Sequence, residues 1–145
     1  EGRAGRGLFD APIHCPMTHS IVSSAVLLSV FLLACGVPGP ATDSLDPAAF
    51  ADRIGKNDAQ LVDVRTSAEF SDGHIDGSLN LDWNGGQLEQ RATELDMRKP
   101  VLLYCASGRR SAAARDYLRE QGFNNVVDLA GGINAWTEAG KPVRR

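Results

Sequence analysis

One short stretch of the chain, residues 105 to 111, combines residue types that could carry out nucleophilic chemistry. It begins with the thiol of Cys105, contains one glycine and two adjacent arginines, and ends in a serine. An apolar run, Val101 to Tyr104, precedes it, and a helical pattern, Ser111 to Glu120, follows. We therefore expect Cys105 at the carboxyl end of a buried strand, followed by a tight loop and the start of a helix.

This expected position favours a reactive thiolate at Cys105. Ligands of parallel α/β sheets bind outside the carboxyl ends of the strands. A helix N-terminus offers unpaired N–H groups and the positive end of the helix dipole, and both favour an anion. The two arginines act in the same direction. The alternative is a buried cysteine that packs as a small hydrophobic side chain, but the glycine, the arginines and the helix start favour a chemical role.

The composition describes one ordinary domain with an additional N-terminal segment. The chain has 145 residues, a formal net charge of −3 and 43% hydrophobic residues, which suits a single soluble domain. It contains no basic run and few aromatic residues, so the composition argues against a nucleic-acid partner. Cys15, Cys35 and Cys105 are widely spaced, so we predict neither a zinc site nor a disulfide framework, and we expect no metal and no cofactor.

The N-terminal segment has the pattern of an export signal. Ile21 to Ala34 carries no charge over 14 residues, which is short for a membrane span of about 20 residues and suits the core of a signal peptide. It ends in Leu-Leu-Ala-Cys-Gly at residues 32–36, which resembles the lipobox of bacterial lipoproteins. That resemblance implies cleavage before Cys35, lipidation of Cys35, and a periplasmic or cell-surface protein anchored to the membrane by lipid.

These features predict three regions. Residues 1–34 form a leader, of which residues 1–16 are interpreted as an over-extended start. Residues 35–44 form a tether rich in proline and glycine. Residues 45–145 form the folded domain. With Cys35 lipidated, Cys105 is the thiol that the exported domain keeps, and an exposed thiol in an oxidising compartment is a liability unless it has a use.

Strand and helix patterns alternate through the folded domain. This alternation predicts an α/β fold with a central parallel sheet of about five strands and helices on both faces. The clearest strands are predicted at Leu61 to Val64, Val101 to Tyr104 and Val126 to Leu129. The predicted helices lie after the N-cap Asp46, after Thr66 or Ser67, at Gln87 to Leu95, at Ser111 to Glu120, and after Gly131.

The helix at Ser111 to Glu120 has an amphipathic pattern. Its expected buried stripe consists of Ala113, Ala114, Tyr117 and Leu118, and its expected solvent face consists of Arg115, Asp116, Arg119 and Glu120.

Four motifs, in order along the chain, resemble those of a single-domain rhodanese. They are Leu61 to Arg65 with Glu69 and Phe70, Gly73 to Asn80, Cys105 to Ser111, and Gly131 to Trp136. The resemblance runs from about Leu45 to about Val143 and implies a three-layer α/β/α fold. It also implies a sulfurtransferase that moves a sulfane sulfur from thiosulfate or a similar donor to cyanide or a thiol, through a persulfide on Cys105.

The same resemblance assigns further site residues. The active-site loop that follows Cys105 would be formed by Ala106, Ser107, Gly108, Arg109, Arg110 and Ser111. Arg110 falls where the family often has its loop arginine, and both arginines could hold the sulfonate oxygens of thiosulfate. Asp63 and Arg65 would brace the loops near the site, and Arg65 could pair with Glu69 across one helical turn.

Three other functions are compatible with this fold. Related Cys-dependent phosphatases and arsenate reductases carry one residue more between cysteine and arginine, whereas here four residues separate Cys105 from Arg110. The shorter loop makes a smaller ring of amides, which suits one sulfur atom better than a tetrahedral oxyanion. A sulfur carrier that serves a protein partner, or a non-catalytic binding module, stays open. The expected partners are a small-molecule sulfur donor and acceptor, and the expected state is a monomer.

Overall fold

A computed structural model describes residues Asp43 to Arg145. The predicted leader, Cys15, Cys35 and the tether up to residue 42 lie outside the described residues. None of the helices within the described range is long and apolar enough to cross a membrane.

The described residues form five strands and five α-helices, with one short 3₁₀ turn. In chain order the elements are β1 (Ser44–Leu45), α1 (Pro47–Ala51), β2 (Gln60–Asp63), α2 (Ser67–Asp72), β3 (Leu79–Asn80), α3 (Gln87–Arg91), the 3₁₀ turn (Ala92–Glu94), β4 (Val101–Tyr104), α4 (Arg109–Glu120), β5 (Val126–Leu129) and α5 (Gly132–Glu138).

The five strands form one parallel sheet in the order β1-β5-β4-β2-β3. Strand β4 is central: its Leu102 lies opposite Leu61 of β2 and Val127 of β5. The predicted parallel sheet of about five strands is therefore confirmed. Strand β1 was not predicted, because its two residues adjoin the Pro/Gly-rich tether and show no apolar run of their own.

Helices cover both faces of this sheet. Successive strand residues point to opposite faces, so Val101, Leu103 and Cys105 join one core cluster while Leu102 and Tyr104 join the other. The helices contribute Leu88, Ala114 and Leu118 to the first cluster, and Phe50, Ile133 and Trp136 to the second. The predicted three-layer α/β/α architecture is confirmed, and Cys105 lies on the face that α3 and α4 cover.

The predicted N-caps of the first two helices are present. The Asp46 carboxylate accepts hydrogen bonds from the backbone N–H groups of Ala48 and Ala49, both at 2.9 Å. Helix α2 starts with a capping box in which Thr66 and Glu69 satisfy each other's backbone N–H groups. Each cap replaces a hydrogen bond that the helix cannot supply at its first turn.

Two predictions about helices were wrong in detail. The α-helix at Gln87 ends at Arg91, and the next turn, Ala92–Glu94, is a 3₁₀ helix, although Leu88 and Leu95 are buried as the periodicity indicates. Helix α4 begins at Arg109 rather than Ser111, because Gly108 adopts a left-handed conformation there and ends the loop early.

The predicted faces of α4 also need correction. Ala113 is exposed, while Ser111 is fully buried. Arg115 does not face water: its side chain is 12% exposed and forms an ion pair with the buried Asp128. The periodicity places the stripe correctly at Ala114 and Leu118, but it does not reveal a carboxylate on a neighbouring strand that draws an arginine inward.

Candidate active site

Cys105 lies where the sequence predicted it, directly after β4 and at the start of a loop that leads into α4. The residue is 1% exposed. Its Sγ atom accepts a hydrogen bond from the backbone N–H of Gly108 at 3.1 Å. Gly108 supplies this contact with a φ of 94°, a left-handed conformation that glycine adopts without strain. The loop thus folds back so that a backbone N–H group faces the sulfur atom.

The start of α5 holds this loop from the other side. The backbone N–H groups of Ile133 and Asn134 donate to the carbonyl oxygens of Cys105 and Ala106, at 2.8 and 3.2 Å. Gly132 has a φ of 61°, and a Cβ atom there would overlap those same carbonyl groups. The Gly131-Gly132 pair therefore brings the two backbones together, a role beyond the helix start that the sequence predicted.

A serine and a buried aspartate lie behind the thiol. The Ser111 Oγ atom is 3.6 Å from Cys105 Sγ, 3.5 Å from Asp128 Oδ2 and 3.0 Å from the Gly108 carbonyl oxygen. A hydroxyl group has one proton to donate, so Ser111 can direct it to the sulfur when the sulfur is anionic or to an oxygen acceptor when it is not.

Asp128 was missed as a site residue in the sequence analysis. It is 1% exposed, and its Oδ1 atom accepts hydrogen bonds from Arg115 at 2.6 Å and from Ser44 at 2.8 Å. A buried carboxylate needs such partners because removing it from water is costly. The signal was available: Asp128, like Asp63, is an acidic residue within an otherwise apolar buried strand.

Arg110 forms a two-pronged ion pair with Glu69. The two terminal nitrogen atoms of Arg110 donate to the two carboxylate oxygen atoms at 2.9 and 2.7 Å. Hydrogen bonding from Arg110 lowers the pKa of Glu69 to about 2, and Glu69, with a smaller contribution from Cys105, raises the pKa of Arg110. The predicted pairing of Arg65 with Glu69 was therefore wrong, because the loop of Cys105 places Arg110 against α2.

Arg65 instead pairs with Asp63, and both residues are buried. The Asp63 carboxylate accepts from the Arg65 backbone N–H at 2.9 Å and from its guanidinium at 2.6 to 3.0 Å. Arg65 also donates to the Gly73 carbonyl oxygen at 2.7 Å. The pair thus connects the end of β2 to the loop after α2.

Three residues of the loop, Ser107, Arg109 and Arg110, border a cavity of about 370 Å³. Ser107 and Arg109 are exposed and line it, whereas Ala106 is half-buried and does not. The full set of lining residues is Trp83, Asn84, Ser107, Arg109, Arg110 and Ala113. Trp83 and Asn84 were missed in the sequence analysis. They follow β3 closely, and proximity to the carboxyl end of a strand is the signal that could have identified them.

Among residues 43–145, no group of three or more histidine, cysteine, aspartate or glutamate side chains is placed to hold a metal ion. The side chains and backbone groups around Cys105 are instead arranged as a nucleophile would need. It offers a thiol, hydrogen-bond donors directed at that thiol, and an adjacent cavity with cationic walls. Such a site can form a covalent bond to a small electrophile and then pass the acquired group to a second molecule.

Comparison with known proteins identifies relatives of this chain. A family model described as a rhodanese-like domain matches residues 46–139. The thiosulfate sulfurtransferase GlpE of Shewanella oneidensis is 44% identical over 80 residues, which cover 55% of this chain and 77% of that protein. A sulfurtransferase of Allochromatium vinosum is 36% identical over 102 residues, which cover 70% of this chain and 94% of that protein. The crystal structure of a rhodanese-related protein from Thermoplasma volcanium is similar with a TM-score of 0.63 and 36% identity, over 70% of this chain and 96% of that one.

Proposed function

The chain belongs to the rhodanese-like family, and from this premise we propose that it is a sulfurtransferase that carries a sulfane sulfur as a persulfide on Cys105. The observation that carries this proposal is the Gly108 N–H group donating to Cys105 Sγ at 3.1 Å. A thiolate and the persulfide formed on it are both anions, and both gain from a fixed donor in a site with little water.

The first half-reaction loads the sulfur. The Cys105 thiolate attacks the outer sulfur of thiosulfate, a new S–S bond forms, and the bond to the sulfonate breaks. Its electron pair leaves with sulfite. No general base is required, because the thiolate is already the nucleophile. Ser111 lies 3.6 Å from Sγ, so its hydroxyl supports the anion before attack.

The two arginines have different parts in this proposal. Glu69 occupies both terminal nitrogen atoms of Arg110, so Arg110 positions the loop and adds positive charge near Cys105 rather than clamping a sulfonate with both nitrogens. The exposed Arg109 makes no ion pair with any residue of the described range. It is therefore the arginine whose guanidinium is available to a ligand.

The loop length favours sulfur over phosphate. Four residues separate Cys105 from Arg110, and the loop closes with a hydrogen bond from Gly108 to Sγ itself. A loop of this length makes a smaller ring of backbone amides than the loop with one residue more, and the smaller ring suits one additional sulfur atom better than a tetrahedral phosphate. A sulfurtransferase is thus a better match to the geometry than a phosphatase.

The test is a thiosulfate:cyanide assay of the full chain, combined with mass spectrometry. We expect thiocyanate formation, and a mass increase of one sulfur atom after thiosulfate that cyanide removes. Cys105→Ser should abolish both. The double variant Cys15→Ser, Cys35→Ser is the matched control and should retain the persulfide. A folded wild-type chain that gains no sulfur would refute the enzyme and leave a binding module.

We also propose that residues 21–34 direct export and that Cys35 receives lipid. The support is the uncharged run followed by Leu-Leu-Ala-Cys-Gly. Expression in a bacterium supplied with labelled palmitate should label the wild-type protein and the Cys15→Ser variant, and should not label Cys35→Ser. Unlabelled wild-type protein in the soluble fraction would contradict this localisation.

A further inference from the structure

The proposed sulfur transfer makes no use of Asp128, a carboxylate that is 1% exposed. Asp128 and Val126 are two positions apart on β5, so both point to the same face of the sheet. Val126 belongs to the core cluster that also contains Cys105. The Asp128 carboxylate therefore lies in the layer of the nucleophile, where a second negative charge affects the chemistry of the sulfur.

The two oxygen atoms of Asp128 have unequal partners. The Oδ1 atom accepts hydrogen bonds from Arg115 at 2.6 Å and from Ser44 at 2.8 Å. Within residues 43–145, the donor that reaches the Oδ2 atom is the Ser111 hydroxyl, at the longer distance of 3.5 Å. One oxygen of this buried carboxylate is thus firmly held, and the other has a weak claim on Ser111.

The same hydroxyl lies at nearly the same distance from the sulfur atom of Cys105. Ser111 Oγ is 3.6 Å from Sγ and 3.0 Å from the Gly108 carbonyl oxygen. A hydroxyl group carries one proton, and Ser111 is fully buried. Hydrogen bonds to ionised acceptors are about twice as strong as those to neutral ones. An anionic sulfur and the Asp128 carboxylate therefore both attract a proton that otherwise bonds the neutral carbonyl.

We infer that Asp128 and the Cys105 sulfur compete for the proton of the Ser111 hydroxyl. Asp128 is then a positioning residue, which acts on the sulfur through Ser111 and limits how strongly that hydroxyl stabilises the thiolate or the persulfide. No covalent bond changes in this competition, because the proton stays on Ser111 and only its direction differs. The inference deepens the proposed function, since it concerns the anion on which sulfur transfer depends.

The test measures the reactivity of the Cys105 thiolate in the full chain. Alkylation by iodoacetamide at pH 7 is followed by the mass of the peptide that contains Cys105. Asp128→Asn replaces the carboxylate with a neutral group of the same shape, so Ser111 should turn to the sulfur. We expect the alkylation rate to rise about tenfold, the effect of one hydrogen bond to a charged group.

The matched control removes the other carboxylate that Arg115 binds. Asp116 pairs with Arg115 at 2.9 Å and is 62% exposed, so Asp116→Asn changes the net charge equally without affecting Ser111. Its alkylation rate should equal that of wild type. Combining Asp128→Asn with Ser111→Ala tests the route of the effect: if Asp128 acts through the hydroxyl, Asp128→Asn should cause no acceleration when Ser111 is alanine.

A second variant covers the case in which Asp128→Asn does not fold. Arg115→Met combined with Asp128→Leu removes the carboxylate and its cation together, and replacing both partners of a buried ion pair is often close to neutral for stability. The net charge of the chain is unchanged, yet the competing acceptor of Ser111 is gone. We therefore expect the same acceleration of about tenfold in this double variant.

The outcomes separate this inference from the proposed function. Wild-type alkylation rates in the folded Asp128 variants would overturn the inference. So would an undiminished acceleration in the Ser111→Ala background, because Asp128 would then act by its charge alone. Persulfide formation is measured separately: a chain that shows the expected acceleration but gains no sulfur from thiosulfate would refute the proposed function and leave the role of Asp128 in place.

Discussion

At the scale of single residues, Cys105, the proposed nucleophile, is distinguished by the hydrogen-bond donors that contact its sulfur atom. Cys105 is almost fully buried, and its sulfur faces the Gly108 N–H and the Ser111 hydroxyl. The N–H and O–H donors favour an anionic sulfur, which is the form that the proposed persulfide takes. Ser111 is the one side-chain hydroxyl in this set.

We predict that Ser111→Ala slows sulfur transfer. A hydrogen bond to a charged group contributes about 1.5–3 kcal/mol, so loss of the hydroxyl should lower kcat for thiosulfate by about tenfold or more. The rate of Cys105 alkylation by iodoacetamide at neutral pH should fall as well. Ser71→Ala, which removes an exposed hydroxyl bonded to the Ser67 carbonyl, is the control. Wild-type rates in Ser111→Ala would show that the hydroxyl does not act on the sulfur.

The ion pair of Glu69 and Arg110 predicts a specific dependence of stability on pH. Hydrogen bonding from Arg110 lowers the pKa of Glu69 from 4.5 to about 2 in the folded chain. A lowered folded-state pKa means that the stabilisation is complete above pH 4.5 and is lost as the pH falls towards 2. Since the Glu69 side chain is 35% exposed, solvent screening keeps the contribution modest.

Urea unfolding of wild type and Glu69→Gln measures this effect. The difference between their midpoints should be constant above pH 4.5 and should shrink between pH 4.5 and pH 2. Glu138→Gln removes an exposed carboxyl at the end of α5 and is the control for a general charge effect. An equal difference at pH 3 and pH 7 would contradict the assignment of Glu69 as the titrating group.

At the scale of elements, the site depends on the contact between two helix starts. The loop that leads into α4 and the turn that leads into α5 share hydrogen bonds at the Cys105 and Ala106 carbonyl groups. Gly132 permits this approach because it has no side chain where the other backbone lies. Gly132 therefore helps to shape the loop that follows Cys105 and is also the first residue of α5.

We predict that Gly132→Ala disrupts both folding and activity. The added Cβ atom would overlap two carbonyl groups at a φ of 61°, so we expect a loss of about 2–4 kcal/mol in unfolding free energy. Sulfur transfer should fall with it, since the loop must move. Gly140→Ala is the matched control: its φ is 69° with no atom within 4 Å of the added Cβ, so only the conformational cost of about 1–2 kcal/mol applies. Equal losses in the two variants would refute the steric explanation.

At the scale of the whole molecule, a buried polar network connects the sheet edge to the centre. Asp128 on β5 binds Ser44 of β1 and Arg115 of α4. Ser111, one turn before Arg115, reaches the other oxygen of Asp128 at 3.5 Å. The network thus joins the edge strand β1, the helix α4 and Ser111, whose hydroxyl also contacts the Cys105 sulfur.

We predict that Arg115→Met is strongly destabilising, because it leaves the Asp128 carboxylate buried without its charge partner. Breaking one side of a buried ion pair costs about 3–5 kcal/mol, whereas replacing both partners is often close to neutral. The double variant Arg115→Met, Asp128→Leu should therefore recover much of the stability that the single variant loses in urea unfolding. A double variant less stable than the single one would show that Asp128 is stabilised by other contacts.

Much of the fold could be predicted because local pattern and overall architecture agree here. The buried strands are short apolar runs, the N-caps at Asp46 and Thr66 follow local rules, and the alternation of elements leaves few arrangements other than a parallel sheet between helices. The position of Cys105 at the end of β4 follows from the same pattern. Strand β1 escaped prediction because two residues carry too little periodicity to be recognised.

The sequence by itself determined the α/β class, the strand–loop–helix around Cys105 and the place of that thiol at the end of a buried strand. Each of these depends on neighbours along the chain. Only the tertiary structure decided that Glu69 pairs with Arg110 rather than Arg65, that Asp128 lies behind Ser111, and that Trp83 and Asn84 join Arg109 at one cavity. Asp128 and Ser111 are 17 positions apart in the chain, and Glu69 and Arg110 are 41 positions apart. Side-chain partners this far apart in sequence are set by the packing of whole elements, which local spacing does not encode.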